Sequence, residues 1–303
     1  MKKLLCVLFA AVFAFGLLLP AFAAEAGAPE ANSEYFETGD YTLHYRVFPA
    51  EDPRGQIMMI HGFALSSYCF EPLAERLSAA GYTCVTVDLP DFGFSSRETA
   101  ATEKQPREDL IHALMTSLSD EPWYVAAHSM GGYIALALAE KYPESVRQLL
   151  LYGTAGNDAK GGALDTIVNN TALRTVLGKF MTVMSRTKPI VRMFLYMATK
   201  DLKYTMDYDL TRITDPYQID GTGEGALFSF AMLPATNYDA IGDMPPILYM
   251  NAENDSVIAK SAIEKLKTYL PDGSTVVTLS DGGHLFIECR ADKTAAETLA
   301  FLG

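Results

Sequence analysis

In 121-EPWYVAAHSMGGYIALALAEKYPE-144 a continuous apolar run meets His128, Ser129, Met130 and two glycines, then passes into an Ala/Leu-rich run. WYVAAH (123–128) reads as a buried strand, and YIALALAEKY (133–142) as a helix. The few residues between them leave room only for a sharp turn. Such a turn lifts Ser129 above the sheet edge and sets Met130 at a helix N-terminus, where free N–H groups favour an anion. Ser129 is therefore a candidate nucleophile, with the Met130 backbone N–H as an oxyanion donor. The familiar spacing is G-x-S-x-G, with small residues letting strand and helix approach closely. Gly131 supplies the second small residue and Ala127 stands at the first, adding one methyl. An ordinary strand-to-helix turn is the competing reading of the pentapeptide alone.

Working outward, strands and helices alternate, which implies an α/β fold with a mostly parallel central sheet flanked by helices. TLHYRVFP (42–49), QIMMI (56–60) and YTCVTVDL (82–89) read as strands before the serine. RQLLLYG, PPILYMN and STVVTLS follow it. Helices are expected near 68–80, at REDLIHALMTSL (107–118), over VIAKSAIEKLKTYL (257–270) and after His284. The alternation breaks over 155–243, a methionine-rich helical stretch without buried-strand runs. It exceeds an ordinary connection and reads as an insertion on a core of 34–154 and 244–303.

Lys2 and Lys3 precede an apolar run from Leu4 to Leu19, followed by Pro20 and the small-x-small triplet Ala21-Phe22-Ala23. This is the pattern of a signal peptide, 1–23, cleaved after Ala23, and it implies an exported protein, secreted or periplasmic. A retained membrane anchor is the alternative, for which the run is somewhat short. Residues 24–33 read as a flexible leader. The formal charge is −13, and loss of Lys2 and Lys3 makes it −15. That balance excludes nucleic acid as an expected partner, since no overall basic surface can neutralise phosphates. Cys69, Cys84 and Cys289 remain in the mature chain, an odd number that rules out a fully paired framework. A Cys69–Cys289 bridge is open to an exported protein, but nothing local demands it. No cysteine spacing matches a zinc site, and no metal is expected.

A serine needs a base, and the chain has five histidines. His44 lies in an early strand and His112 on an amphipathic helix, so both read as structural. His128 adjoins Ser129, and neighbouring side chains point apart. His61 belongs to 56-QIMMIHGFALSS-67, where the N–H of Phe63 is placed as the second oxyanion donor and the His61 ring as a brace for the loop. His284, in SDGGHLFIE, follows the last strand at the edge where Ser129 emerges, which makes it the candidate base. Asp255, in 251-NAENDSVIA-259, follows PPILYMN and is the candidate orienter, with Glu253 as its local rival and a helix N-cap as its alternative role.

HGF (61–63), 88-DLPDFGFSS-96, AHSMGG (127–132), END (253–255) and GGH (282–284) fall in the order of the α/β-hydrolase superfamily, which the chain resembles over nearly all its mature length. The resemblance implies a Ser129–Asp255–His284 triad, no cofactor, and a helical cap inserted after the sixth strand, matching 155–243. The family's usual DLPGFGxS has glycine where this chain has Asp91, which leaves the shape of that loop open. A serine nucleophile separates the chain from relatives that use aspartate.

The expected chemistry is acyl transfer to water on a small-molecule carboxylic ester, of esterase or monoacylglycerol-lipase type. Methionine and phenylalanine in the cap, with Met181, Met184 and Phe228 as candidates, suit an apolar acyl group, although packing of the cap explains them equally. Asp207, Asp209 and Glu224 leave an aminopeptidase open, and a C–C bond hydrolase is a further alternative. A non-catalytic ligand-binding or signalling role is the lesser one. Residues 171–204 carry seven basic groups against Asp201. They are read either as a solvated helix face or as weak membrane or lipid contact through the cap.

Overall fold

The computed structural model describes residues 30–97, 104–158 and 170–303. The expected signal peptide and most of the expected leader lie outside these residues. Eight strands form one sheet in the order β1-β2-β4-β3-β5-β6-β7-β8. They are β1 (Ser33–Thr38), β2 (Tyr41–Phe48), β3 (Gly55–Ile60), β4 (Tyr82–Val87), β5 (Trp123–His128), β6 (Val146–Tyr152), β7 (Leu248–Ala252) and β8 (Thr275–Leu279). The β1–β2 and β2–β4 pairs are antiparallel, and from β4 through β8 every pair is parallel.

The central strands are apolar on both faces because helices cover both. The two-residue period of a strand then divides one run between two cores. Met58, Ile60, Val125, Ala127, Leu149 and Leu151 enter one cluster. Ile57, Met59, Tyr124, Ala126, Leu150 and Tyr152 enter the other. Leu73 and Leu77 of α1 (Glu71–Ala79) close the second face. Leu110 and Leu114 of α2 (Arg107–Leu118) and Ile134 and Leu138 of α3 (Gly131–Lys141) close the first. Truncating one of these leucines to alanine costs about 2–5 kcal/mol.

The expected leader ends earlier than 33. Ser33 already pairs in β1, and the buried Arg46 donates to Asn32 Oδ1 at 3.1 Å and to Glu30 Oε2 at 3.0 Å. The polar SEYFET lacks an apolar run because β1 lies at the sheet edge, with no residue fully buried. Between β6 and β7 the described residues hold helices and no strand. These are α4 (Thr171–Arg186), α5 (Lys188–Thr199), α6 (Leu202–Asp207), α7 (Thr211–Thr214), α8 (Thr222–Ser229) and α9 (Tyr238–Ile241). Beyond β7 come α10 (Lys260–Lys267), α11 (Phe286–Cys289) and α12 (Ala291–Leu302). The α10 helix begins three residues later than the periodicity suggests, because Val257 and Ile258 turn around Asp255. Cys69, Cys84 and Cys289 are all free thiols, so the Cys69–Cys289 bridge does not form.

Candidate active site

Ser129 follows β5 in a left-handed conformation, φ 52°. A non-glycine residue held there costs on the order of 1–3 kcal/mol, and the surroundings must enforce it. They do so through the backbone. The Ser129 N–H donates to Tyr152 O at 3.0 Å, and the Thr154 hydroxyl donates to Ser129 O at 2.7 Å. The helix α3 then starts against β3. A Cβ on Gly131 would stand 2.4 Å from Ile60 O and 2.7 Å from His61 O, so no side chain fits. Gly62 is equally confined, since a Cβ there would lie 3.0 Å from Ser129 Cβ. These two contacts bring the loop after β3 against the serine.

Three side chains from three loops meet at this edge. His284 Nε2 lies 2.9 Å from Ser129 Oγ, and His284 Nδ1 lies 2.8 Å from Asp255 Oδ2. Asp255 only accepts when ionised, so Nδ1 carries the proton and Nε2 of the neutral ring accepts from the serine hydroxyl. Asp255 Oδ1 is held by the N–H groups of Val257 at 2.7 Å and Ile258 at 3.1 Å. Burial is the largest influence on this carboxyl and pushes its pKa up. The His284 contact and the two N–H groups outweigh it, so the pKa falls below its ordinary value. Glu253, the rival, is exposed. Ser129 is half-buried, whereas Asp255 and His284 are buried.

The loop after β3 is braced by His61. Its Nε2 accepts from the Leu89 N–H at 3.0 Å, so Nδ1–H donates to Gly62 O at 2.6 Å. Burial lowers its pKa and keeps the ring neutral. Among the described residues, neither the Phe63 N–H nor the Met130 N–H donates to a protein acceptor.

Two residues matter more than their local sequence suggests. His128 does not reach the hydroxyl. Its Nε2–H donates to His284 O at 2.9 Å and so holds His284 from its backbone. Burial, then the neighbouring His284, lowers its pKa to about 3, so it stays neutral. Asp88 accepts from Ser67 N–H at 2.6 Å and Phe94 N–H at 2.8 Å, and its Oδ2 lies 2.7 Å from His44 Nδ1. Burial alone would raise this carboxyl; the hydrogen bonds overcome it and set it well below the carboxylate range. Their only local signals are a histidine before the serine and an aspartate closing a strand. His112 serves elsewhere, 3.1 Å from Ser145 Oγ.

Asp91 keeps the loop shape that glycine would allow, at φ 75°. Its buried carboxylate accepts from Ser229 Oγ at 3.1 Å and Arg107 at 3.3 Å, which ties the loop to α8. The insertion also touches the base. Ala198 O, near the end of α5, accepts the Leu285 N–H at 2.9 Å, one residue after His284. Phe230 packs on Phe63 with ring centroids 4.5 Å apart. Of the expected apolar candidates, Met181 packs against the first core cluster. Phe228 lies under the Arg174 guanidinium at 5.0 Å and Lys104 at 5.4 Å. Met184 sits half-buried on α4. Phe230 is an aromatic of the insertion that reaches the loop after β3, beside Phe92 on Phe63. The three acids of the peptidase reading meet partners within the insertion: Asp207 meets Lys203, Asp209 meets Thr211, and Glu224 meets Thr175 and Arg174.

A family model described as alpha/beta hydrolase fold matches residues 56–290. The chain belongs to the α/β-hydrolase family. It is 27% identical over 257 residues to Lipase 3 of Moraxella sp. (strain TA144), covering 81% of this chain and 76% of that one. It is 25% identical over 267 residues to the 2-(acetamidomethylene)succinate hydrolase of Mesorhizobium japonicum, covering 84% and 90%. The crystal structure of the enol-lactonase from Burkholderia xenovorans LB400 superposes with a TM-score of 0.71 at 19% identity, covering 89% of this chain and 99% of that one. That likeness concerns the fold. The chain is an esterase- and lipase-like α/β hydrolase.

Proposed function

We propose that this α/β hydrolase cleaves carboxylic esters through an acyl-enzyme on Ser129. The carrying observation is the continuous Ser129 Oγ–His284–Asp255 chain, at 2.9 and 2.8 Å. Ser129 Oγ attacks the ester carbonyl carbon as its proton passes to His284 Nε2. Asp255 holds the ring and stabilises the imidazolium. The Phe63 and Met130 N–H groups bind the oxyanion. His284 returns the proton to the alkoxide leaving group. Water, deprotonated by the same nitrogen, then releases the acid. The insertion acts as a cap, with Phe230 on its active-site side, and this favours an apolar acyl group. The amino-terminal pattern supports export with removal after Ala23, which N-terminal sequencing of the recovered protein checks.

p-Nitrophenyl esters of increasing chain length, an aminoacyl-naphthylamide and a fluorophosphonate label test the reading. Ester turnover and labelling, both lost in Ser129→Ala, are expected. Turnover of the amide alone would move the assignment to a peptidase. An unlabelled, inactive native protein would leave a ligand-binding role.

A further inference from the structure

We propose that the outer face of α5 and α6 docks on an anionic lipid surface. Among the described residues, nine of the thirteen large exposed hydrophobic side chains fall between Leu173 and Met206. On α5 they are Met193, Phe194, Tyr196 and Met197, each between 41% and 50% exposed. Met193, Tyr196 and Met197 share one side, being three and four residues apart. Val191, Leu195 and Thr199 take the opposite, buried side. The helix is therefore apolar on two opposite sides, one covered by the protein and one facing out. On α6 Leu202 is 64% and Met206 58% exposed, one turn apart.

Charge selects the occupant. The basic residues of this region divide by type. Arg186 donates to Tyr217 O and Gln218 O, Arg192 donates to Thr205 O and Met206 O, and Arg174 pairs with Glu224. These arginines hold the insertion together. Lys179, Lys188, Lys200 and Lys203 are exposed instead, with Lys203 meeting Asp207 at 2.5 Å. Lys188 opens α5, Lys200 ends it, and Lys203 lies on α6, so lysines flank the apolar side. In a chain of net charge −13 this local excess is a recognition feature. Apolar side chains with lysines at the margins fit an interface of acyl chains and anionic headgroups. α5 has 12 residues against the roughly 20 needed to cross a bilayer, so it lies on the surface. The position is consequential, because Ala198 O at the end of this helix holds Leu285 N–H beside the base.

Docking is measured without turnover, so it stands or falls apart from the ester chemistry. The full-length Phe194→Trp protein is mixed with vesicles of brominated phosphatidylcholine, with and without phosphatidylglycerol. Quenching of the new indole only with phosphatidylglycerol present is expected. The parent protein, whose one tryptophan, Trp123, is buried, should show none. Lys188→Gln and Lys203→Gln should each weaken partitioning roughly fivefold. Met197→Trp is a second reporter should the first fail to fold. Protein that sediments with vesicles while both indoles stay unquenched would overturn the docking face. Partitioning equal on neutral vesicles would overturn the role of charge. A concentration-dependent blue shift without lipid, with a dimer by sedimentation velocity, would assign the face to a second copy.

Discussion

At the C-terminal edge of the sheet, polar side chains are buried and tied to backbone groups. On the outer face of the insertion, apolar side chains stand in solvent. Asp255, Asp88, His61 and His128 each end on a backbone N–H or C=O, so the positions of Ser129 and His284 follow from the fold itself. Met193, Phe194 and Met197 are half-exposed. One region is built to hold atoms still, the other to meet something outside the molecule. Substitutions should therefore act on chemistry and stability at the edge, and on association at the insertion.

The largest expected effect is at Asp255. Asp255→Asn keeps the shape but removes the charge that fixes the His284 tautomer, so kcat should fall about 10³–10⁴-fold. A loss below tenfold in steady-state ester kinetics would show that the backbone bond from His128 alone suffices to hold the base.

Glu288 tests the seam between the two regions. It is buried on α11, with Tyr204 and Tyr208 of the insertion against it. Burial raises its pKa to about 8, against an ordinary value of 4.5. Because the folded value is the higher one, its stabilising effect is complete below pH 4.5 and is lost as pH rises towards 8. Glu288→Gln removes that slope. The variant should gain on the parent as pH rises between 4.5 and 8, with a slope of at most roughly 1.4 kcal/mol per pH unit. Parallel denaturation midpoints at pH 5, 7 and 8.5 would contradict this.

Gly131→Ala presses a methyl onto the Ile60 and His61 carbonyls and should cost about 1–3 kcal/mol. The same shift displaces the Phe63 N–H, so kcat/KM should fall with stability. A variant with native melting and full activity would mean that α3 can slide away from β3. The smallest effect is expected outside: Leu202→Ser should leave the denaturation midpoint within ~0.5 kcal/mol. A larger loss would mean that the exposed face carries packing, and the contrast between the regions would weaken.

The sheet and the edge where Ser129, Asp255 and His284 meet were legible because a buried strand leaves a continuous apolar run and each loop follows directly. WYVAAH in β5 and QIMMI in β3 show this, and Ser129, Asp255 and His284 each stand within a few residues of such a run. β1 was not legible, since an edge strand with a polar sequence has no run to show. His128 and Asp88 were not, because their work is done by hydrogen bonds to residues 156 and 21 positions away. The insertion was legible only as helical. Methionine and phenylalanine mark apolar surface without saying which side is covered, so Phe228 stood as a candidate. Yet it lies under Arg174, while Phe230 lies on Phe63.

The hydrogen bond from Leu285 N–H to Ala198 O bears on how such a chain can diverge. Inserted segments between two strands look like modules that evolution or an engineer could exchange. Here the inserted segment contributes an acceptor to the loop of the base, and Gly283 lies so close that a Cβ would stand 2.4 Å from the same carbonyl. A transplanted segment must bring a carbonyl to that spot, or the host loses its alignment along with its old specificity. Recombination within this lineage is thereby confined to donors that end their second helix in the same place.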